Sequence, residues 1–449
     1  GYVTHASAVP TLTQTTAPVS SETLNASGTW TQRGADIDGD AEDRSGYSVS
    51  LSQEGNIVAI GAKASGNHRG ATRIYAWNGA TWAQRGSDIP GTGSNDMSGW
   101  SVSISSEGNT VSVSAVGNDD GGFNAGEVRV FSWSGNAWVQ KGSDINGETA
   151  QDQSGYSVSM TDDGNTVAVG SILNDGSGGD AGHVRIYKWN GSVWSQLGTD
   201  IDGDTAADKS GSALNLSSGG DTLAISSPGN LTSSGHVKVF DWNGGSWVQR
   251  GADINGEASY DRSGDAVSLS SDGNILAISA RNNDGNGNNS GHVRVFSWNG
   301  SAWVQLGSDI DGEKYMDNSG DSISLSDDGT ILAIGAAYAY GSPSSGVSSG
   351  HARVFKWDGS SWQQVGTDID AEAEHNSNGK SVSLSANGSV LATGAFMNDG
   401  GGNNSGHVRL YDWPTTTTYI AGISQLVFNN RNLVTGDRIT INAAGGTQV

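Results

Sequence analysis

The stretch HVRIYKWNGSVWSQLG, residues 183–198, decides the fold. From His183 to Trp189 larger apolar residues alternate with polar ones, the period of a β-strand. An Asn190-Gly191 turn then leads into a second short run headed by Trp194. Both tryptophans recur. A W-x-Q-x-G pattern begins at Trp30, Trp82, Trp138, Trp194, Trp247, Trp303 and Trp362, with gaps of 52, 56, 56, 53, 56 and 59 residues. A V-R-V-F-x-W pattern ends at Trp77, Trp133, Trp189, Trp242, Trp298, Trp357 and Trp413. Together they take 14 of the 15 tryptophans and leave only Trp100, so a repeated structural unit sets their places.

Working outward, the third copy holds four strand-like runs: 157–160, 166–170, 183–189 and 194–198. Turn signals separate them, Asp163-Gly164-Asn165 and Asn174-Asp175-Gly176 among others. Four antiparallel strands per repeat, seven times over, predict an all-β, seven-bladed β-propeller. A solenoid is the rival, but it requires capping repeats that are not visible. The last repeat runs from Gly379 to Trp413 and then meets Pro414 and four threonines, with no W-x-Q-x-G of its own. The missing strand stands at Trp30–Gly34, so the N-terminal strand is expected to complete the last blade and close the ring. This divides the chain into an N-terminal extension (1–29), the propeller (30–413) and a C-terminal extension (414–449). The extensions, with strand-like runs at 425–428 and 438–441, read as linker and tail or as attachment and assembly segments.

Composition agrees. The 449 residues are only 34% apolar and include 68 glycines and 6 prolines, which alone would suit disorder; 15 tryptophans at fixed spacing do not. A net charge of −24 repels nucleic acid and anionic membranes, which are excluded as partners, and suits divalent cations or high salt. Cysteine is absent, no apolar run approaches a membrane span, and no signal peptide is visible. The chain begins at Gly1, which points to a processed, truncated or incomplete start. A bacterial or viral exterior fits these features: extracellular, cell surface or virion.

Antiparallel blades put short turns on one face and long loops on the other, where binding is expected. The long loops are acidic. Asp36, Asp38, Asp40 and Asp43; Asp200, Asp202, Asp204 and Asp208; and Asp309, Asp311, Glu313 and Asp317 are candidate ligands of Ca²⁺, a cation that takes six to eight oxygens. The competing reading is that each Asp caps a tight turn. A basic residue recurs on every third strand (Arg73, Arg129, Arg185, Lys238, Arg294, Arg353 and Arg409), placed to stack on neighbouring aromatics and pair with a loop acid. Histidine opens that strand five times (His183, His236, His292, His351 and His407), with Ala71 and Glu127 in the other two places. These read as turn-anchoring donors, too far apart to share one metal.

No catalytic motif is recognised, and the inner-strand ends read as uniform serines: Ser48, Ser101, Ser157, Ser212 and Ser268. Breaks in the repeat symmetry are the candidate ligand contacts: Trp100, Phe123, Tyr338 and Tyr340. The repeat resembles the integrin-α-type FG-GAP propeller across residues 30–413. Its F-G-x-S-V start matches Ser45-Gly46-Tyr47-Ser48-Val49, its V-G-A-P strand matches Ile60-Gly61-Ala62, and its G-x-V-Y-V strand matches Gly182-His183-Val184-Arg185-Ile186. The family's D-x-D-x-D-G calcium hairpin is missing, Thr161-Asp162-Asp163-Gly164 being only a tight turn. The blades also look like repeats in surface and virion proteins of marine bacteria and phages. The resemblance implies adhesion. The expected function is non-enzymatic binding of a protein or glycan partner. The alternatives are a fibre, filament or virion subunit that assembles with copies of itself through its termini, and, behind it, a propeller hydrolase or lyase.

Overall fold

The computed structural model describes residues 21–24, 28–339 and 349–418. The runs at 425–428 and 438–441 and the candidate Tyr340 lie outside them. The chain divides into two compact units, Leu24–Thr415 and a smaller one drawn from residues 1–23 and 416–449. Ser21–Leu24 pairs with Thr415–Thr418 in a two-stranded sheet.

The larger unit is a seven-bladed β-propeller. In the third blade the inner strand is Ser154–Met160, followed by Thr166–Ser171, His183–Trp189 and an outer strand, each antiparallel to the last. The outer strand is more elaborate than the sequence reading, which placed it at 194–198. It runs in two pieces, Trp194–Gln196 and Ile201–Asp202, both paired with His183–Trp189. The break falls at the glycine of W-x-Q-x-G. In the first blade this is Gly86, at φ +83, where a Cβ would sit 2.8 Å from the Trp133 ring of the next blade. Only glycine satisfies both the left-handed backbone and that close approach.

Three kinds of hydrogen bond join the blades. Each W-x-Q-x-G indole donates to the backbone carbonyl just before the glycine of the preceding blade's motif: Trp82 Nε1 to Arg33 O (2.8 Å), Trp138 Nε1 to Arg85 O (2.7 Å) and Trp194 Nε1 to Lys141 O (2.6 Å) are three of these. Inner-strand serines accept from the next blade's backbone, as in Ser50 Oγ from Ile104 N (3.1 Å) and Ser103 Oγ from Met160 N (3.1 Å). The short turns form a closed circle of backbone bonds, Gln53 to Ser106 to Asp162 to Ser218 to Ser271 to Asp327 to Ala386 and back to Gln53, at 2.8–3.2 Å. Between blades, aliphatic residues of neighbouring sheets pack into buried clusters such as Ile74, Ile89, Val102, Val111 and Phe131. The apolar positions of the alternating strands thus face the adjacent blade, and burial of that face supplies the main stabilisation.

Ring closure follows the sequence reading. Thr31 and Gln32 pair with Asp412 and Tyr411, and Ile37 and Asp38 pair with Val408 and His407. The N-terminal segment is the outer strand of blade seven. The Trp30 indole makes the seventh of the interblade bonds, to Val365 O at 3.0 Å.

Candidate functional site

The residue after the glycine of each S-G-x-S-V start lies at the mouth of the central channel, on the long-loop face. There the repeats diverge: Tyr47, Trp100, Tyr156, Ser212, Asp265, Asp321 and Lys380. All seven, with Arg262 and Arg281, line one cavity of about 200 Å³. This corrects the reading of the inner-strand ends as uniform. Ser48, Ser101 and Ser157 sit one residue further along, Ser268 lies deeper in its strand, and Ser212 is itself a member of the ring.

One half of the mouth is aromatic. Tyr47 and Trp100 have ring centroids 5.1 Å apart, Trp100 and Tyr156 are 5.4 Å apart, and Phe396 packs edge-on against Tyr47. Lys63 Nζ lies 3.4 Å from the Tyr47 centroid and 4.3 Å from that of Trp100, held by the ring faces. Burial, then Lys380 and Arg44, push the Lys63 pKa down to about 7. Burial pushes Tyr47 up to about 12 in spite of Lys380.

The other half is charged. Arg281 bridges the two carboxylates, Nε to Asp265 at 2.8 Å and Nη1 to Asp321 at 3.1 Å. Arg262 takes Asp265 at 2.9 Å and Lys380 takes Asp321 at 3.0 Å. Burial opposes the charge on Lys380, but Asp321, Tyr47 and Tyr338 outweigh it and its pKa is raised. In the cavity lining three cations thus face two carboxylates, with Lys63 on the aromatic arc a fourth basic group, a local excess of positive charge in a chain of net charge −24. Of the symmetry-breaking aromatics, Trp100 lines the mouth and Tyr338, 40% exposed, interacts with Lys380 and Arg281 beside it. Phe123, 64% exposed, stands apart on the long loop of blade two.

The acidic loops divide their residues among three tasks. Asp43, Asp208 and Asp317 are buried and accept from their own loop's backbone, at Asp40 N, Asp204 N and Glu313 N. Asp43 also holds Arg73 at 2.7 Å, with Asp40 at 3.6 Å, while Asp204 clamps Lys238. The first acid of each loop, Asp36, Asp200 or Asp309, accepts from the glutamine of W-x-Q at 2.6 Å. Its other oxygen faces a histidine, at 3.5 Å from His407 Nδ1 and at 3.6 Å from His183 and His292. The split outer strand creates this meeting by pairing His407 with Asp38, His183 with Asp202 and His292 with Asp311. These three histidines are therefore members of carboxylate clusters. Burial, then Arg409, pushes His407 down to about 4, with Asp36 opposing. Three of the recurrent basic residues both pair with a loop acid and stack as expected: Arg185 on Glu148 and Tyr187, Arg294 on Glu257 and Phe296, and Arg409 on Glu372 and Tyr411.

Blade two substitutes Glu127 for the histidine. It is fully buried, and its carboxylate oxygens take no hydrogen bond. Arg129 Nε lies 3.0 Å away but off the hydrogen-bonding line. Burial pushes the Glu127 pKa up to about 7, Arg129 pulling the other way. A carboxyl raised from 4.5 stabilises the fold at low pH, and that stability is lost as pH rises from 4.5 through about 7. Glu127→Gln is expected to remove this loss, a relative gain of up to about 3 kcal/mol near pH 8. Denaturant titrations of both proteins across that window measure it; a constant difference between them would contradict the assignment.

The structure defines the class: a seven-bladed β-propeller with an asymmetric channel mouth. No protein-family model and no curated protein matches the chain. Among solved structures it is similar to the hydrazine synthase of Kuenenia stuttgartiensis, at 13% identity and TM-score 0.50 over 87% of this chain and 98% of that one. It is also similar to a candidate 6-phosphogluconolactonase from Bacteroides uniformis, at 14% identity and TM-score 0.50 over 73% of this chain and 86% of that one. At such identities the likeness is one of fold.

Proposed function

We propose that this propeller is a non-catalytic binding module, displayed outside the cell or on a virion, whose channel mouth takes an anionic saccharide. The observation that carries the reading is the pairing of the Tyr47–Trp100–Tyr156 arc with the cation excess of Arg262, Arg281 and Lys380 in one cavity. Aromatic faces suit the C–H face of a sugar ring, and guanidinium groups suit a carboxylate. Binding is favoured over turnover because Asp265 and Asp321 are both held in ion pairs, which leaves no unpaired carboxyl in the cavity lining for a hydrolase's pair of acids. Isothermal titration with uronic-acid oligosaccharides and their neutral counterparts tests this. Saturable binding of the charged set alone is expected; equal binding of both sets, or of neither, overturns it.

A further inference from the structure

The histidine clusters on the rim are independent of the channel mouth, and the one in blade seven is the most complete. His407 is 1% exposed, and neither ring nitrogen makes a hydrogen bond. Nδ1 nevertheless faces three carboxylate oxygens: Asp36 Oδ2 at 3.5 Å, Asp38 Oδ1 at 3.9 Å and Glu372 Oε2 at 4.0 Å. These distances are too long for good hydrogen bonds. They approach the separation of about 3.4 Å between two ligands that each lie about 2.1 Å from one tetrahedral metal ion. The acids come from different elements, Asp36 and Asp38 from the closing strand and Glu372 from the loop entering blade seven. The same set recurs at His183, with Asp200 at 3.6 Å and Glu148 and Asp202 at 4.0 Å, and at His292, with Asp309 at 3.6 Å and Glu257 at 4.0 Å.

The geometry points to a divalent transition-metal site of the Zn²⁺ or Mn²⁺ class at each of these three places, built by one buried imidazole nitrogen and the carboxylates around it. An imidazole donor selects this class over Ca²⁺, which prefers an all-oxygen shell. The site differs from the loop-wrapped calcium arrangement expected from sequence, because Asp40 and Asp43 go to Arg73 instead. Bound metal would tie the closing strand to blade seven through Asp36, Asp38 and His407, and to the preceding loop through Glu372.

The full chain, stripped with a chelator and desalted, should bind at least three equivalents of Zn²⁺ in equilibrium dialysis, with a rise in melting temperature. The Asp38→Asn, Glu372→Gln double variant changes two half-exposed side chains that the fold does not need buried, and it should lose one equivalent. His407→Gln should lose the same one. Unchanged stoichiometry in the folded double variant, absence of Zn²⁺ binding in the parent, or displacement of Zn²⁺ by equimolar Ca²⁺ would each overturn the assignment. The saccharide titration is run with chelator present, so the two readings fail independently.

Discussion

Removing residues 1–38 is expected to lower the melting temperature by on the order of 10 °C relative to a chain that starts at Gly28. The comparison isolates the seam, since the two chains differ only in the segment that completes blade seven. That segment supplies both pieces of the outer strand, paired with Asp412, Tyr411, Val408 and His407. It also supplies Trp30, which packs on Trp413 with centroids 5.2 Å apart and bonds to Val365 O in blade six. On the other side, Arg33 O accepts the Trp82 indole and Arg33 Nη1 donates to Gly55 O, both in blade one. Ile37 is buried in the cluster between the last and first blades with Ile60, Val390 and Val408. Losing one buried isoleucine costs about 2–5 kcal/mol, and here Ile37 goes together with the partly buried Trp30 while the outer edge of the third strand is bared. Differential scanning calorimetry of the two chains measures it. If they melt within about 2 °C of each other, the ring does not depend on its N-terminal strand.

What the sequence disclosed follows from what each residue does. The fourteen repeat tryptophans are legible because each sits in an interblade joint that every blade must make, so spacing alone reveals them. The closing strand is legible for the same reason: its Trp30 has no partner repeat unless the ring shuts. The channel mouth is hidden by the same repetition that makes the fold legible. Repetition displays what is constant, and the serines of S-V-S stay constant because they accept hydrogen bonds from the next blade. The position after the glycine looks like noise in one blade, and only the sevenfold arrangement brings Tyr47, Asp265 and Lys380 to one cavity. The histidine clusters were hidden differently. Acids and histidines were each visible, but their meeting depends on the break in the outer strand, which sets Asp202 opposite His183. The signal was present: an I-D or I-N pair follows the W-x-Q-x-G motif by two residues in six of the repeats, Ile89-Pro90 being the exception.

At the mouth, Trp100→Ala should weaken binding of a uronic-acid oligosaccharide at least about tenfold, which corresponds to about 1.4 kcal/mol. Trp100 is the central ring of the arc, in contact with Tyr47 and Tyr156, so its removal breaks the platform on both sides. It is only half-buried, and the interblade joints do not use it, so the fold should survive. Arg262→Gln asks the complementary question. Its guanidinium is 38% exposed and holds Asp265, which Arg281 also holds, so the carboxylate keeps one partner. Without it the cavity lining has two cations against two carboxylates, and discrimination between charged and neutral sugars should fall while stacking persists. Phe123→Ala, on the blade-two loop, should change neither. Titration of the three variants against one charged and one neutral oligosaccharide separates stacking from charge. If Phe123→Ala loses affinity and Trp100→Ala does not, the ligand sits on the loops and the channel mouth is structural. The distinction matters physically, because at the mouth all seven blades contribute, through one equivalent position, side chains of five kinds to a common cavity. A loop site, by contrast, would be offered in several nearly equal copies, and its affinity would come from multivalency and not from a single asymmetric cavity.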